Sequence, residues 1–316
     1  MRALLACPAC GGGLRADWSC EICGMLFDAA DGVPALTLDC DDRTRIVRDF
    51  YDVAPFPGYR DADTLANLRA RAERSAFARL LDQAIPGDAR VVEIGCGTGQ
   101  MSLYLARADR QVIGADMTRA SVLLGARAAQ SFGVDQVQFV ETDLNRPGLR
   151  EGAFDVIYCS GVLHHTPDPR AAFARIVRLA RPGGLVVLGL YNTFARLPLR
   201  LRRVVARLTD YRWIPFDPVL ADREGEPARR TAWLRDQYQH PEEHRHTLGE
   251  VRRWFADNGV DFIRAYPSAL IGEDPDDLLQ PATDLWPLES WLAQWGWMAS
   301  LGAEGGLFVT IGRRAA

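Results

Sequence analysis

Four thiols stand near the start of the chain, at Cys7, Cys10, Cys20 and Cys23, as two C-x-x-C pairs nine residues apart. Each pair can turn two sulfurs toward one point, and two pairs supply the tetrahedral set that zinc prefers. Pro8, Gly11, Gly12, Gly13 and Gly24 allow the tight backbone such knuckles need. A full set of four sulfurs leaves no open position, so the expected zinc is structural, not catalytic. Two disulfides are the alternative. The first six residues carry one Arg and no long apolar run, so no signal peptide is expected and the expected compartment is cytoplasmic, where thiols stay reduced. Cys40, Cys96 and Cys159 are isolated and read as small apolar residues.

A second chemical stretch is VVEIGCGTGQ, Val91 to Gln100. Glycines at 95, 97 and 99 follow a strand pattern and precede a helix, where backbone can approach a ligand closely. The dinucleotide pattern G-x-G-x-x-G is not met, because Gln100 stands at its third glycine. A glycine loop alone is a weak signal, but its partners strengthen it. Asp116 lies 21 residues after Gly95, at the end of the next strand, where a carboxylate can accept from ribose hydroxyls. Asp143, in Glu141-Thr142-Asp143-Leu144, can accept from an adenine amino group. The third stretch is SGVLHHTPDP, Ser160 to Pro169, whose imidazoles could take up a proton.

The elements that must position these residues alternate. Strands are expected at Arg90–Ile94, Gln111–Ala115, Gln138–Glu141, Phe154–Cys159 and Leu185–Leu190. Helices are expected at Gly99–Arg107, Thr118–Phe132 and Pro169–Ala180, with Pro182-Gly183-Gly184 turning into the fifth strand. Such alternation predicts an α/β fold, a doubly wound parallel sheet covered on both faces. Its strand ends place the glycine loop, Asp116, Asp143 and the two histidines at one crevice. One helix is predicted over Asp61–Gln83, stopped by Pro86-Gly87, and another after a capping box at Thr247 and Glu250, ending at Asn258-Gly259. Strands at Val260–Tyr266 and Gly306–Gly312 complete the pattern. The domain reading is a ribbon at 1–40, a helical linker or lid at 41–84, and an α/β domain at 85–316 with insertions at about 191–246 and 267–305.

Residues 85–190 resemble the class I S-adenosylmethionine-dependent methyltransferases of the ubiquinone and menaquinone group. The resemblance rests on E-x-G-x-G-x-G at Glu93–Gly99, the acidic end of strand two, D-L after strand three, and H-H-x-x-D-P after strand four. It implies a Rossmann-like sheet of seven strands whose last is antiparallel, and S-adenosyl-L-methionine over the glycines. Glu93, Gly95, Gly97 and Gly99 would hold its methionine end and Asp116 its ribose. Met117, Asp143 and Leu144 would hold the adenine, with Ser160 also against the cofactor. Phe50-Tyr51-Asp52 and Pro55–Tyr59 are similar to segments that close over the cofactor in this family; an ordinary linker is the alternative. At Val162-Leu163-His164 the loop resembles phosphoethanolamine methyltransferases, which implies His164 as general base with Tyr51 as partner and His165 in a structural role. The alternative is that both histidines only shape the loop. The first forty residues also resemble small zinc-ribbon activators of RNA and protein methyltransferases and the ribbon of some ribosomal RNA guanine methyltransferases.

Composition limits the rest. The chain has 316 residues, 48% of them hydrophobic, and a net charge of −4; all of its 37 basic residues are Arg. It carries no membrane span, no lysine chemistry and no overall attraction to nucleic acid. In residues 1–60, six Arg face nine acidic residues, the wrong sign for an RNA-binding ribbon. Arg196, Arg200, Arg203 and Arg207 are expected on one face of a helix at Leu197–Leu208, as a solvated face or a lid for an anion. His240, His244 and His246 read as loop histidines. Trp286, Trp291, Trp295 and Trp297 read as core, as substrate pocket wall or as an oligomer contact. Three functions stay open: methyl transfer to a small-molecule acceptor at O, C or N; methylation of RNA or protein docked through the ribbon or the Arg196–Arg207 face; and a non-catalytic S-adenosylmethionine-binding scaffold.

Overall fold

The structure, a computed structural model, describes all residues except 40, 53–57, 61, 223–225, 241, 283–285 and 302–304. Cys40, Pro55, Phe56, Pro57 and Asp61 therefore lie outside the described residues. In chain order the elements are β1 (Ala35–Leu36), α1 (Asp42–Asp52), α2 (Leu65–Ala72), α3 (Ala76–Ala84), β2 (Arg90–Ile94) and α4 (Gln100–Leu105). Next come β3 (Gln111–Asp116), α5 (Arg119–Phe132), β4 (Val137–Thr142), β5 (Phe154–Ser160), α6 (Pro169–Val177) and β6 (Ala180–Tyr191). Then follow α7 (Leu197–Leu208), α8 (Pro218–Asp222), α9 (Pro227–Tyr238), α10 (Leu248–Asp257), β7 (Val260–Tyr266), α11 (Pro287–Ser300) and β8 (Leu307–Arg314).

One sheet has the order β1-β4-β3-β2-β5-β6-β8-β7, parallel except for β8, which pairs antiparallel on both sides. Its central strands are apolar on both faces, with Val91, Val92, Val112, Ile113, Val156 and Ile157 fully buried, as a sheet covered by helices requires. The switch in strand order falls between β2 and β5, so the loops after β2, β3 and β5 open into one crevice.

Several expectations change in detail. The sheet has eight strands, because residues 35–36 add an edge strand parallel to β4, pairing Ala35 with Glu141 and Leu36 with Thr142. The helix predicted over 61–83 is two, α2 and α3. Thr64 and Ser75 each accept an amide hydrogen bond and cap separate starts. Pro182-Gly183-Gly184 lies within β6 as an irregularity, where the pairing jumps from Phe154–Ala180 to Val156–Leu185. The capping box is half formed: Thr247 caps the amide of Glu250, but the Glu250 carboxylate turns to His246 Nδ1 at 3.0 Å.

The thiol segment is part of the main core. Leu4, Leu5, Cys7, Leu14, Cys20, Phe27 and Leu36 pack in one cluster with Leu149, Phe154, Phe173 and Phe308. Leu5 bridges Leu149, and Arg119 donates to the carbonyls of Val33 and Ala30 at 2.8 and 2.9 Å. The ribbon thus covers the β4 edge, which would otherwise present unpaired backbone groups. At the other end, α7, α8 and α9 share a small core of Leu199, Ala206, Leu220, Trp233 and Tyr238.

Candidate active site

The cavity at the strand ends measures about 610 Å³. Its floor is the loop after β2. Gly95, Gly97 and Gly99 have φ of 69°, 52° and 78°, the left-handed region that favours glycine. A Cβ at Gly95 would lie 2.2 Å from Val162, and one at Gly99 would lie 2.2 Å from Phe139. Glycine is therefore required here by packing as well as by backbone shape.

Asp116 ends β3 and faces the cavity. Its carboxylate accepts from the Gly97 amide at 2.8 Å and the Thr118 amide at 2.9 Å, which fixes it against the glycine loop. Burial raises its pKa, while those amides oppose the rise. Glu93 is more strongly affected: burial pushes its carboxyl up to about 8, against a hydrogen bond from Ser102 and with the Asp116 charge nearby. Met117, Asp143, Leu144 and Ser160 line the same cavity, and Asp143 accepts from the Asn145 amide at 2.8 Å. The structure brings every residue expected around the cofactor to this cavity except Gly99, which stands at the start of α4.

The expected catalytic pair is not brought together. His164 is fully buried, lines no part of the cavity, and stacks on the Tyr191 ring at 3.7 Å between centroids. Its two ring nitrogens have no hydrogen-bond partner, and burial holds its pKa well below the usual histidine range. His165 is the histidine on the cavity wall. Its Nδ1 lies 2.8 Å from the Glu242 carbonyl oxygen. A carbonyl only accepts, so Nδ1 carries the proton and Nε2 is the basic nitrogen of the ring. Tyr51, on α1, also lines the cavity, and its ring lies 5.6 Å from His240, which lies 3.7 Å from His165. The 3-10 turn at Leu163–His165 explains the exchange, because successive side chains there point in different directions.

Residues not anticipated from the sequence complete the walls: Arg71, Tyr191, Trp233, Gln237 and Leu307. Arg71 pairs with Asp63 at 2.9 Å. Trp233 and Gln237 come from the insertion after β6, which carries no motif. Over the glycine loop, Tyr59 donates to the Thr98 carbonyl at 2.7 Å and Gln100 to that of Gly58 at 3.1 Å. Residues 58–59 and α1 thus close one side.

Two expectations about arginine and tryptophan need correction. Arg196 and Arg203 are not on an exposed face: both pair with the buried carboxylate of Glu243, at 2.7 and 2.5 Å. Burial opposes ionisation of Glu243, but the two guanidiniums hold it down to about 2. None of the four C-terminal tryptophans lines the cavity; Trp297 is core, while Trp286, Trp291 and Trp295 are exposed.

Away from the cavity, the four sulfurs of Cys7, Cys10, Cys20 and Cys23 lie within 4.8 Å of one another. The Cys7–Cys23 and Cys10–Cys20 separations are 3.7 and 3.4 Å. Zinc–sulfur bonds of about 2.3 Å would set tetrahedral edges of about 3.8 Å, so the set fits a tetrathiolate metal. Among the described residues no second cluster of this kind occurs, and the histidines at 240, 244 and 246 do not form one.

Residues 92–188 match the family described as "Methyltransferase domain". Over those residues the chain carries a methyltransferase domain. Curated relatives include an uncharacterized protein of Synechococcus sp., 28% identical over 71% of this chain and 60% of that protein. Another is a ubiquinone biosynthesis O-methyltransferase of Cronobacter sakazakii, 29% identical over 51% of this chain and 64% of that protein. This chain thus matches less than two thirds of the length of either. A solved structure of magnesium protoporphyrin IX methyltransferase from Synechocystis with bound SAH has a TM-score of 0.51 at 19% identity. It matches 87% of this chain and all of that one. Geranyl diphosphate C-methyltransferase from Streptomyces coelicolor has a TM-score of 0.50 at 17% identity, over 88% of this chain and all of that one. These likenesses show the methyltransferase fold.

Proposed function

We propose that the protein transfers a methyl group from S-adenosyl-L-methionine to a small-molecule acceptor, at an oxygen, carbon or nitrogen. The observation that carries this reading is the shared cavity: the glycine loop and Asp116 on one side, and His165, Tyr51, Tyr191 and Trp233 on the other. S-adenosylmethionine, when bound, supplies an electrophilic methyl on a sulfonium. The chain's residues would do the rest. Gly95 to Gly99 admit the ligand, Asp116 accepts from ribose hydroxyls, and Asp143 with Met117 and Leu144 receives the adenine. Glu93, neutral until about pH 8, and the Arg71 guanidinium would face the methionine end. Tyr51, Tyr191 and Trp233 suit an acceptor with an aromatic or apolar body. Holding donor and acceptor close and aligned is most of the work in such a displacement. For an acceptor that must also lose a proton, His165 Nε2 takes it while Nδ1 stays on the Glu242 carbonyl. This role replaces the one expected of His164.

The four-cysteine set is proposed to hold one structural zinc, which would fasten residues 1–36 to the sheet edge. Calorimetry with S-adenosylmethionine tests the donor site, and the absence of binding would leave only a scaffold. The acceptor class is tested by metabolite profiling of a deletion strain, in search of a product lighter by one methyl group. If instead an isotopic methyl group enters RNA or protein, the small-molecule reading falls.

A further inference from the structure

The helix α7 is turned the opposite way from an ordinary surface helix. Its arginines Arg196 and Arg203 point inward to Glu243, and its inner side packs through Leu199 and Ala206 on Leu220, Trp233 and Tyr238. Outward stand Leu201, Val204 and Leu208, which are 70%, 55% and 82% exposed. The apolar row continues beyond the helix with Trp213 and Phe216, the latter 91% exposed. A soluble helix buries such a row, so a long exposed one marks an interaction surface.

We propose that this segment, Leu197 to Phe216, lies on an anionic lipid bilayer as a surface docking element. Charge identifies the occupant. The segment contains five Arg and a single acidic residue, Asp210. Arg200, Arg207 and Arg212 are exposed beside the apolar row. Apolar side chains that enter the acyl boundary, arginines at headgroup level and an interfacial tryptophan are the features of a helix lying in a membrane surface. A second copy of this chain fits less well, because a two-fold contact would bring the two arginine sets together with almost no acid to meet them. No described helix is long and apolar enough to cross a membrane, so the element rests on the bilayer. Exposed Trp291 and Trp295 on α11 join the same region through Phe194, whose ring lies 4.8 Å from Trp295. The proposal does not depend on methyl transfer, although Trp233, beneath α7, also lines the cavity.

Vesicle co-sedimentation of the full chain tests it, with phosphatidylcholine alone and with added phosphatidylglycerol, at low and high salt. Binding is expected to the anionic vesicles, to weaken with salt, and to fall at least about tenfold in the double variant Leu201→Asp/Leu208→Asp. Arg200→Glu/Arg207→Glu should abolish the preference for phosphatidylglycerol. All four positions are exposed, and circular dichroism is the check that the variants fold. Wild-type protein that stays in the supernatant, or variants that bind as well as wild type, would overturn the proposal. So would a wild-type dimer that Leu201→Asp/Leu208→Asp makes monomeric without any vesicle binding, which would assign the face to a second copy.

Discussion

Two adjacent histidines, alike in sequence, end in opposite surroundings. His165 reaches the cavity with its tautomer fixed by the Glu242 carbonyl, whereas His164 is sealed beneath Tyr191. For an acceptor that must be deprotonated, His165→Ala is expected to lower turnover by ~10²–10⁴-fold while leaving donor affinity nearly unchanged. Steady-state rates beside calorimetric affinities check this, and normal turnover would remove the base role. Asp116→Ala should weaken S-adenosylmethionine at least about tenfold, because a charge-assisted bond to a ligand is worth about 1.5–3 kcal/mol. Glu93 gives a pH dependence with a definite sign. Burial keeps its proton up to about 8, so a cationic donor meets a neutral group at lower pH. Donor affinity should therefore rise as pH rises toward about 8 and then level off, and Glu93→Gln should flatten the rise. Calorimetry across that range decides it. The residues proposed to hold the cofactor are legible in the sequence because they sit at or beside strand ends fixed by periodicity. The sequence could not separate the histidines, since a 3-10 turn decides which of two neighbours faces the cavity.

At the scale of elements, strands and their loops were legible and the insertions were not. A buried parallel strand announces itself as an apolar run, and β2 and β7 have the boundaries expected of them. In α7 the pattern was read correctly as amphipathic but assigned the wrong buried face, because nothing local reveals that Glu243, some forty residues on, draws Arg196 and Arg203 inward. That triad anchors the insertion to the sheet: Arg196 also donates to the Gly305 carbonyl at 2.6 Å, and its guanidinium lies 3.5 Å from the Tyr191 ring centroid. Removing one partner of a buried ion pair leaves an uncompensated charge and costs about 3–5 kcal/mol. Glu243→Ala should accordingly lower stability by about that amount and loosen α7–α9, while donor binding at the glycine loop persists. Chemical denaturation and proteolysis of the insertion measure the two effects; unchanged stability would mean that the triad is not an anchor.

The whole molecule joins parts that the sequence presented as separate. A ribbon of this length has too little core to fold unaided, and the expectation is a zinc-stapled platform that packs on the α/β domain or presents it to a partner. The packing goes further than a docked platform: one apolar cluster runs from Leu4 and Phe27 in the ribbon through Phe154 and Phe173 to Phe308 on β8, and residues 35–36 lengthen the sheet itself. Sharing a core and a hydrogen-bonded edge couples the stability of the two parts. Zinc that binds the folded ribbon and not the unfolded chain would then stabilise the entire molecule. The expected outcome is one zinc per chain by metal analysis and a single calorimetric transition for the purified protein. Chelation, or Cys10→Ser, should shift that whole transition downward and expose the β4 edge to aggregation. A separate low-temperature transition for the ribbon, with the main transition unmoved, would show two independent units. The fusion would then be one of contact without cooperativity.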